Sequence, residues 1–334
     1  HKLGVRVEKE VTAEAAIRLA GLDTTVELRP LFIQTKDSKH NEVDDKKAVV
    51  RTDDDRVLGV VGNQYHPVQN VELFGFMDAI VGEGQAIYHT AGSLFDGKKV
   101  FLTCKLPTSL TIGPDKIDKY LLLTSAHDGS MAIHCMFTPV RVVCSNTLSA
   151  ALGSYVGGTG VNKRAKSTVQ IKHTKNYKSG ISDARNALGL AEYYYEQLGI
   201  TFEKLLNYKF TDSNMEEYVQ LLLPGKILEN GKNEAKTRTK NLRDKICDLF
   251  HNGAGQKDVT NTAWAAYNAT TEYADHYRVI RVREDKKLED VRFQSLLLGS
   301  SALFKQNAFD LIMEQVNKEN SAVVVAVNGG KDEN

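Results

Sequence analysis

The residues with chemistry to offer lie in two basic stretches and one polar-aromatic stretch. Residues 162–178 hold six lysines and arginines and no acid. They are Lys163, Arg164, Lys166, Lys172, Lys175 and Lys178, with His173 and Tyr177 among them. Cations strung along a loop suit the phosphates of a nucleic-acid strand, and an aromatic ring beside them can stack on a base. The same composition also suits a solvated loop at a junction. The second cluster occupies residues 226–245 and is interrupted by three acids. On a helix, its Lys236, Lys240 and Arg243 share one face at i, i+4 and i+7, with Arg238 nearby. Ile246, Leu249 and Phe250 then supply the opposite, apolar face. The plain alternative is an exposed basic helix face.

The polar-aromatic stretch, residues 262–283, places Asn268, Glu272 and His276 at i, i+4 and i+8, with Asp275 adjacent. Such a face could hold a metal ion or relay a proton, which would make the protein a hydrolase. It lacks the HExxH spacing of zinc hydrolases, and a hydrogen-bond network between packed helices is the simpler reading. His127-Asp128 and His134 match no catalytic spacing. The triplet Asp53-Asp54-Asp55 reads as a solvated turn, because cation sites need ligands that converge from separated positions. There is no GxSxG, Walker or dinucleotide fingerprint, and the glycine groups at 82–84 and 157–160 miss phosphate-loop spacing. No catalytic residue, cofactor or metal is assigned, and binding is expected rather than catalysis.

Composition limits the partners. The chain has 334 residues, 42% hydrophobic and 25% charged, with a formal net charge of +1. Bulk charge therefore does not mark a polyanion binder, and any nucleic-acid role must rest on local clustering. Residues 1–150 hold 17 basic and 19 acidic side chains, whereas residues 151–334 hold 26 and 23, so the basic excess lies in the second half. Cys104, Cys135, Cys144 and Cys247 form no CxxC pair, so buried, reduced thiols are expected. With no signal-peptide pattern in HKLGVRVEKEV and no apolar run of membrane-spanning length, the expectation is a cytoplasmic protein without a membrane segment.

The elements that must position these residues follow from periodicity and turn chemistry. A helix is expected over 12–20 and a strand over 26–34, with Pro30 at an edge or bulge. Residues 36–47 read as a charged loop. A hairpin follows at 48–52 and 57–61, then a helix over 71–81. Strands at 86–94 and 99–106 flank Phe95-Asp96-Gly97, a strong hairpin signal. A second pair, 120–126 and 131–137, flanks His127-Asp128-Gly129-Ser130. The stretch 138–178 then orders a short strand at 140–144, a helix over 147–152, a glycine-rich turn at 153–160, and the basic segment with a strand at 169–173. Helices are expected over 182–198, 200–206, 213–222, 234–250, 262–277 and 302–317, with Ser213 and Glu216 as a capping box. The fold class is α+β: a largely antiparallel β N-terminal region with one inserted helix, then a mostly helical C-terminal region. The division is 20–150, 160–318 and a tail, 319–334.

Five blocks carry a family resemblance: GNQYHPVQNVELFGFMDAIVGEG, YHTAGSLFDGKKVFLTCKLP, FTPVRVVCSNTLSAAL, IKHTKNY and TAWAAYNATTEYADH. In this order they resemble the phage/plasmid-like protein family, a domain of unknown function found on prophages, plasmids and conjugative elements. The resemblance covers roughly residues 20–285 and implies a mobile-element origin and a cytoplasmic protein, but carries no activity. Members often lie near recombination or single-strand-binding genes. The resulting expectation is a nucleic-acid-binding protein, favouring single-stranded DNA, in recombination, annealing or replication. Its contacts would be the basic residues named above with His173, and Tyr177 would stack. A homo-oligomer fits this role. The alternative is an oligomeric structural or protein-interaction factor of the mobile element, for example one acting against a host defence.

Overall fold

Local turn chemistry builds the centre of the molecule. In the computed structural model, which describes residues 4–8, 12–75, 77–78, 86–143, 146–147, 168–179, 191–227 and 233–329, strands β5 (Ile87–Leu94) and β6 (Lys99–Ile112) pair antiparallel. The turn between them puts Phe95, Asp96 and Gly97 in succession at positive φ. Asp and Gly tolerate that region, whereas Phe95 is held there at a cost. β7 (Asp115–Ala126) and β8 (Ile133–Arg141) continue the meander. Edge strands β1 (Val5–Arg6), β9 (Asn146–Thr147) and β10 (Thr168–Ile171) complete a seven-stranded sheet whose main path runs β1-β5-β6-β7-β8-β10. A separate three-stranded sheet holds β2 (Val26–Gln34), β3 (His40–Arg51) and β4 (Val57–Gly62).

The large sheet is buried on both faces because its strands carry apolar residues at successive positions. Val100, Leu102, Cys104, Leu121, Leu123 and Cys135 pack with helices α1 (Ala13–Leu19) and α2 (Asn70–Gly75). Leu94, Phe101, Leu122 and Met136 face the other way, against Phe293 and Leu297. The far end of the β6–β7 hairpin, at Ile112 and Ile117, enters the helical core. That core is built by α3 (Ala191–Asn207), α4 (Asp212–Leu222), α5 (Thr237–Asn252), α6 (Ala263–Glu272) and α8 (Ser300–Gly329). A short pair, β11 (Lys226–Ile227) with β12 (Asn233–Glu234), precedes α5. A π turn, Tyr273–Tyr277, follows α6, and α7 (Leu288–Leu298) covers the sheet. The architecture is α+β: antiparallel strands first, then a mostly helical part. Among the described residues, no helix is long and apolar enough to cross a membrane.

Several expectations are corrected. Residues 40–47 are strand, not loop, because β3 pairs with β2 and β4 on its two sides while its charged side chains stay in water. Residues Val140 and Arg141 end β8 instead of forming a separate strand. The helices at 182–198 and 200–206 are one from Ala191 onward, and Gly199 does not break it. The N-cap before residue 213 is Thr211, whose Oγ1 accepts from Asn214 N while Asn214 Oδ1 accepts from Thr211 N. The last helix runs on to Gly329, and α7 was not foreseen. The inserted helix spans Asn70–Gly75, and positions 79–81 lie outside the described residues. So do 182–190 and most of the 147–152 helix and the glycine-rich turn.

The small sheet meets the large one at Gly59. A Cβ there would lie 2.6 Å from Asp128 Cα and 2.7 Å from its carbonyl oxygen. Backbone on both sides leaves no flexible side chain to yield. Gly59→Ala is therefore expected to destabilise the fold by about 1–3 kcal/mol, the usual cost of overpacking. A lowered midpoint in urea with an unchanged slope would record it, and an unaltered midpoint would refute it.

Candidate nucleic-acid interface

The basic segment is held to the sheet by its non-basic residues. β10 pairs with β8 from Thr168↔Met136 to Ile171↔Ile133, which places it at an edge. Three turn hydrogen bonds then fold the chain: Thr174 N to Lys172 O, Tyr177 N to Thr174 O and Ser179 N to Asn176 O. His173 is buried, with its ring stacked on Tyr65 at 4.8 Å and its Nε2 3.1 Å from Ser125 Oγ. Its carbonyl accepts from His66 N. Tyr177 is 4% exposed, stacks on His66 at 5.6 Å and donates its hydroxyl to Glu72 Oε2 at 2.9 Å.

These contacts correct two assignments. Tyr177 offers no free ring face for a base, because both burial and Glu72 engage it. Burial, and then Glu72, push its hydroxyl up to about 12. His173 supplies no positive charge, because burial lowers its pKa to about 4. Both residues anchor the loop. Lys172, Lys175 and Lys178 are exposed, and no carboxylate among the described residues lies within ion-pair distance of them. Lys163, Arg164 and Lys166 lie outside the described residues.

The second cluster opens α5. Lys236 is its N-cap residue and makes no side-chain cap, and the first turn carries no acid. Lys236, Arg238 and Lys240 are exposed, and none is within ion-pair distance of a described carboxylate. Uncapped N–H groups and three cations thus collect at the positive end of a sixteen-residue helix dipole. Arg243 does not join them. Its Nε and Nη2 donate to Leu223 O at 3.0 and 2.6 Å, capping the C-terminal end of α4. Ile246, Leu249 and Phe250 are buried, as their spacing predicts. The two basic segments are anchored in separate cores: Ile171 and Tyr177 against the sheet, and Ile246, Leu249 and Phe250 among the helices.

The other candidates resolve into structure. The Asn268/Glu272/His276 face is broken by the π turn, which shifts the helical phase, so Glu272 is buried and His276 exposed. Glu272 Oε2 accepts from Ala254 N at 2.9 Å. Asn268 is fully buried. Among the described residues, no group of three His, Cys, Asp or Glu could hold a metal ion. Asp53 and Asp54 pair with Arg51, and Asp55 pairs with Arg29. Cys104 and Cys135 are buried free thiols whose ionisation burial suppresses, Cys135 up to about 12. Cys247 is free and half-buried, and Cys144 lies outside the described residues.

Sequence reasoning missed a buried polar junction between sheet and helices. Arg141, fully buried, donates to Ala254 O at 3.0 Å and Gly255 O at 2.9 Å, and pairs with Asp115 Oδ2 at 2.8 Å. Trp264 Nε1 donates to the same carboxylate oxygen at 2.7 Å. In the helical half, Lys305 and Asp275 form a second ion pair with neither side chain exposed. The signal for both was only a charge inside an apolar run, such as the arginine of PVRVVC.

Comparison with known proteins adds one match. A family model described as Domain of unknown function (DUF932) matches residues 57–297. No curated protein matches, and no solved structure does.

Proposed function

The chain belongs to the DUF932 family, a domain of unknown function, and we propose that it is a nucleic-acid-binding protein that favours single-stranded DNA. The observation that carries this reading is the concentration of uncompensated cations at the start of α5, where Lys236, Arg238 and Lys240 stand at an uncapped helix N-terminus. Phosphates gain there from both the dipole and the free N–H groups. Lys172, Lys175 and Lys178 provide a second row of contacts on an anchored loop, with Lys163, Arg164 and Lys166 preceding it in sequence. The role follows from the family resemblance in the sequence: annealing, recombination or replication of a phage or plasmid, in the cytoplasm. A homo-oligomer belongs to this reading.

Fluorescence anisotropy with labelled single-stranded and double-stranded oligonucleotides at two salt concentrations tests the reading. Salt-sensitive binding that prefers the single strand is expected. Reversing Lys236, Arg238 and Lys240 to Glu removes up to three phosphate contacts. The slope of log affinity against log salt should then become shallower by about 2 for single strands, and affinity at low salt should fall at least tenfold. The same is expected for Lys172, Lys175 and Lys178 reversed together. Absence of binding at low salt would defeat the proposal. It would favour the protein-interaction reading, in which the same cations meet an acidic protein surface.

A further inference from the structure

A cleft of about 630 Å³ lies between the β5–β6 turn, the turn after β7, the start of β4 and the chain entering α7, and no residue of either basic segment is among its described lining. These four stretches are far apart in sequence, so only the folded chain assembles it. His127 N donates to Lys98 O at 2.8 Å, and Phe95 N donates to Asp290 Oδ2 at 2.7 Å, which ties the walls together. The side chain in the cleft that stands out is Lys99. It is only 8% exposed and forms no hydrogen bond or ion pair with any described residue. Its ammonium lies 5.4 Å from the centroid of the Phe95 ring, and Lys286 lies 5.4 Å from the same centroid.

The stem of Lys99 is buried while its ammonium opens into the cleft, so the charge is only partly desolvated and the ring quadrupole adds a modest attraction. The acids in the cleft wall other than Asp285 each have a partner, and Asp128 also lies close enough to Lys99 to offset part of the effect of its burial. Asp96 pairs with Lys287 at 2.9 Å, Asp290 accepts from Phe95 N, and Asp128 Oδ1 accepts from Ser130 N at 2.9 Å. Only Asp285, exposed at the rim, has no such contact. Lys99 and Lys286 thus both approach the same ring, and Lys98 and Arg56 line the same cleft. Burial depresses the Lys99 pKa; Asp128 offsets this in part, and Lys286 adds to it.

We propose that this cleft binds a phosphate group, held by Lys99 and Lys286 and steered by Lys98. A dianion suits a cleft lined by Lys98, Lys99, Lys286, Lys287 and Arg56, and the volume leaves room for the remainder of an ester the size of a nucleotide. The proposal is independent of the nucleic-acid reading. The source of the phosphate, a small ester or a polynucleotide backbone, is decided by the probe.

The test is calorimetric titration of the full chain with inorganic phosphate, with adenosine monophosphate and with an oligo-dT strand. Two variants accompany it: Lys99→Met, and Lys98→Gln with Lys286→Gln. Saturable binding is expected, abolished by Lys99→Met and weakened at least tenfold by the double variant. Without ligand, Lys99→Met should melt close to the parent, because it keeps the volume of the buried stem and removes only a cleft-facing charge. Phosphate should raise the melting temperature of the parent but not of this variant. Binding of phosphate or the monophosphate assigns a small-ester site. Binding of the oligonucleotide alone, lost in these variants and kept when Lys172, Lys175 and Lys178 are reversed, assigns a backbone phosphate. No saturable binding of any probe, or equal affinity in parent and variants, overturns the proposal.

Discussion

Arg141→Ala is expected to lose about 3–5 kcal/mol of folding stability, the range for breaking a buried ion pair by removing one partner. The guanidinium joins Asp115, Ala254 O and Gly255 O within 3.0 Å while fully buried. Truncation leaves the Asp115 carboxylate buried with Trp264 Nε1 still donating to it, and strands two carbonyls. A domain is stable by only about 5–15 kcal/mol, so this one change consumes a large share. Arg141→Lys keeps the charge but not the fork, and should lie between parent and Ala. Replacing Arg141 by Met and Asp115 by Leu together should recover much of the loss, since no charge is then left unpaired. Urea denaturation measures all three. If Arg141→Ala shifts the midpoint no more than an exposed substitution does, the junction is not what couples sheet to helices.

That junction shows where sequence reading stops. The β5–β6 hairpin was legible because every determinant is local: alternating apolar residues around Asp96-Gly97. The C-terminal end of α5 and the start of α6 were legible for the same reason, in Gly253 and Thr262, whereas α5 starts at Thr237 and not at Glu234, which pairs in β12. Arg141 was not, because its partners Ala254 and Gly255 stand 113 and 114 residues away, and no periodicity encodes that distance. Residues 40–47 misled because their side chains are solvated, so the strand has no buried face to impose alternation. Gly199 misled because glycine suggests a helix end, yet here it faces Leu110 of the sheet, whose Cδ2 would lie 3.7 Å from an added Cβ. The candidate site divides in the same way. Composition located the exposed lysines, but it could not tell them from His173, Tyr177 and Arg243, which the fold uses for packing and capping.

Stability is also expected to fall on mild acidification, through His127 and His173. Asn70 Nδ2 donates to Leu22 O, which turns its Oδ1 toward His127 Nε2 at 3.0 Å. Neutral His127 therefore carries its proton on Nε2. Its Nδ1, like that of His173, is buried with no hydrogen-bond partner, so a second proton would find no acceptor. Burial depresses both pKa values to about 4; for His127, His173 adds to the effect and Asp128 opposes it, and for His173, His66 adds to it while a backbone hydrogen bond with His66 opposes it. Between about pH 4 and the unfolded value near 6.5, the unfolded chain binds more protons than the folded one. The contribution of these histidines is thus complete above the unfolded pKa and is lost as pH falls toward 4. Each is worth up to about 3 kcal/mol from its shift, and the two are coupled, so a total loss of roughly 3–6 kcal/mol is expected. The carboxylates held below their usual range, such as Asp96 and Asp118, release their contribution only at lower pH, outside this window. Asp310, raised by burial, works in the opposite sense. His89 and His134, also depressed by burial, leave a smaller residual slope. Urea midpoints measured across this window should therefore fall steeply for the parent and much less for the His127→Gln, His173→Gln double variant. Glutamine can still donate to Asn70 and Ser125; it loses the stack of His173 on Tyr65, a pH-independent cost that lowers the whole curve without changing its slope. Parallel pH profiles for the two proteins would show that these rings do not carry the acid sensitivity.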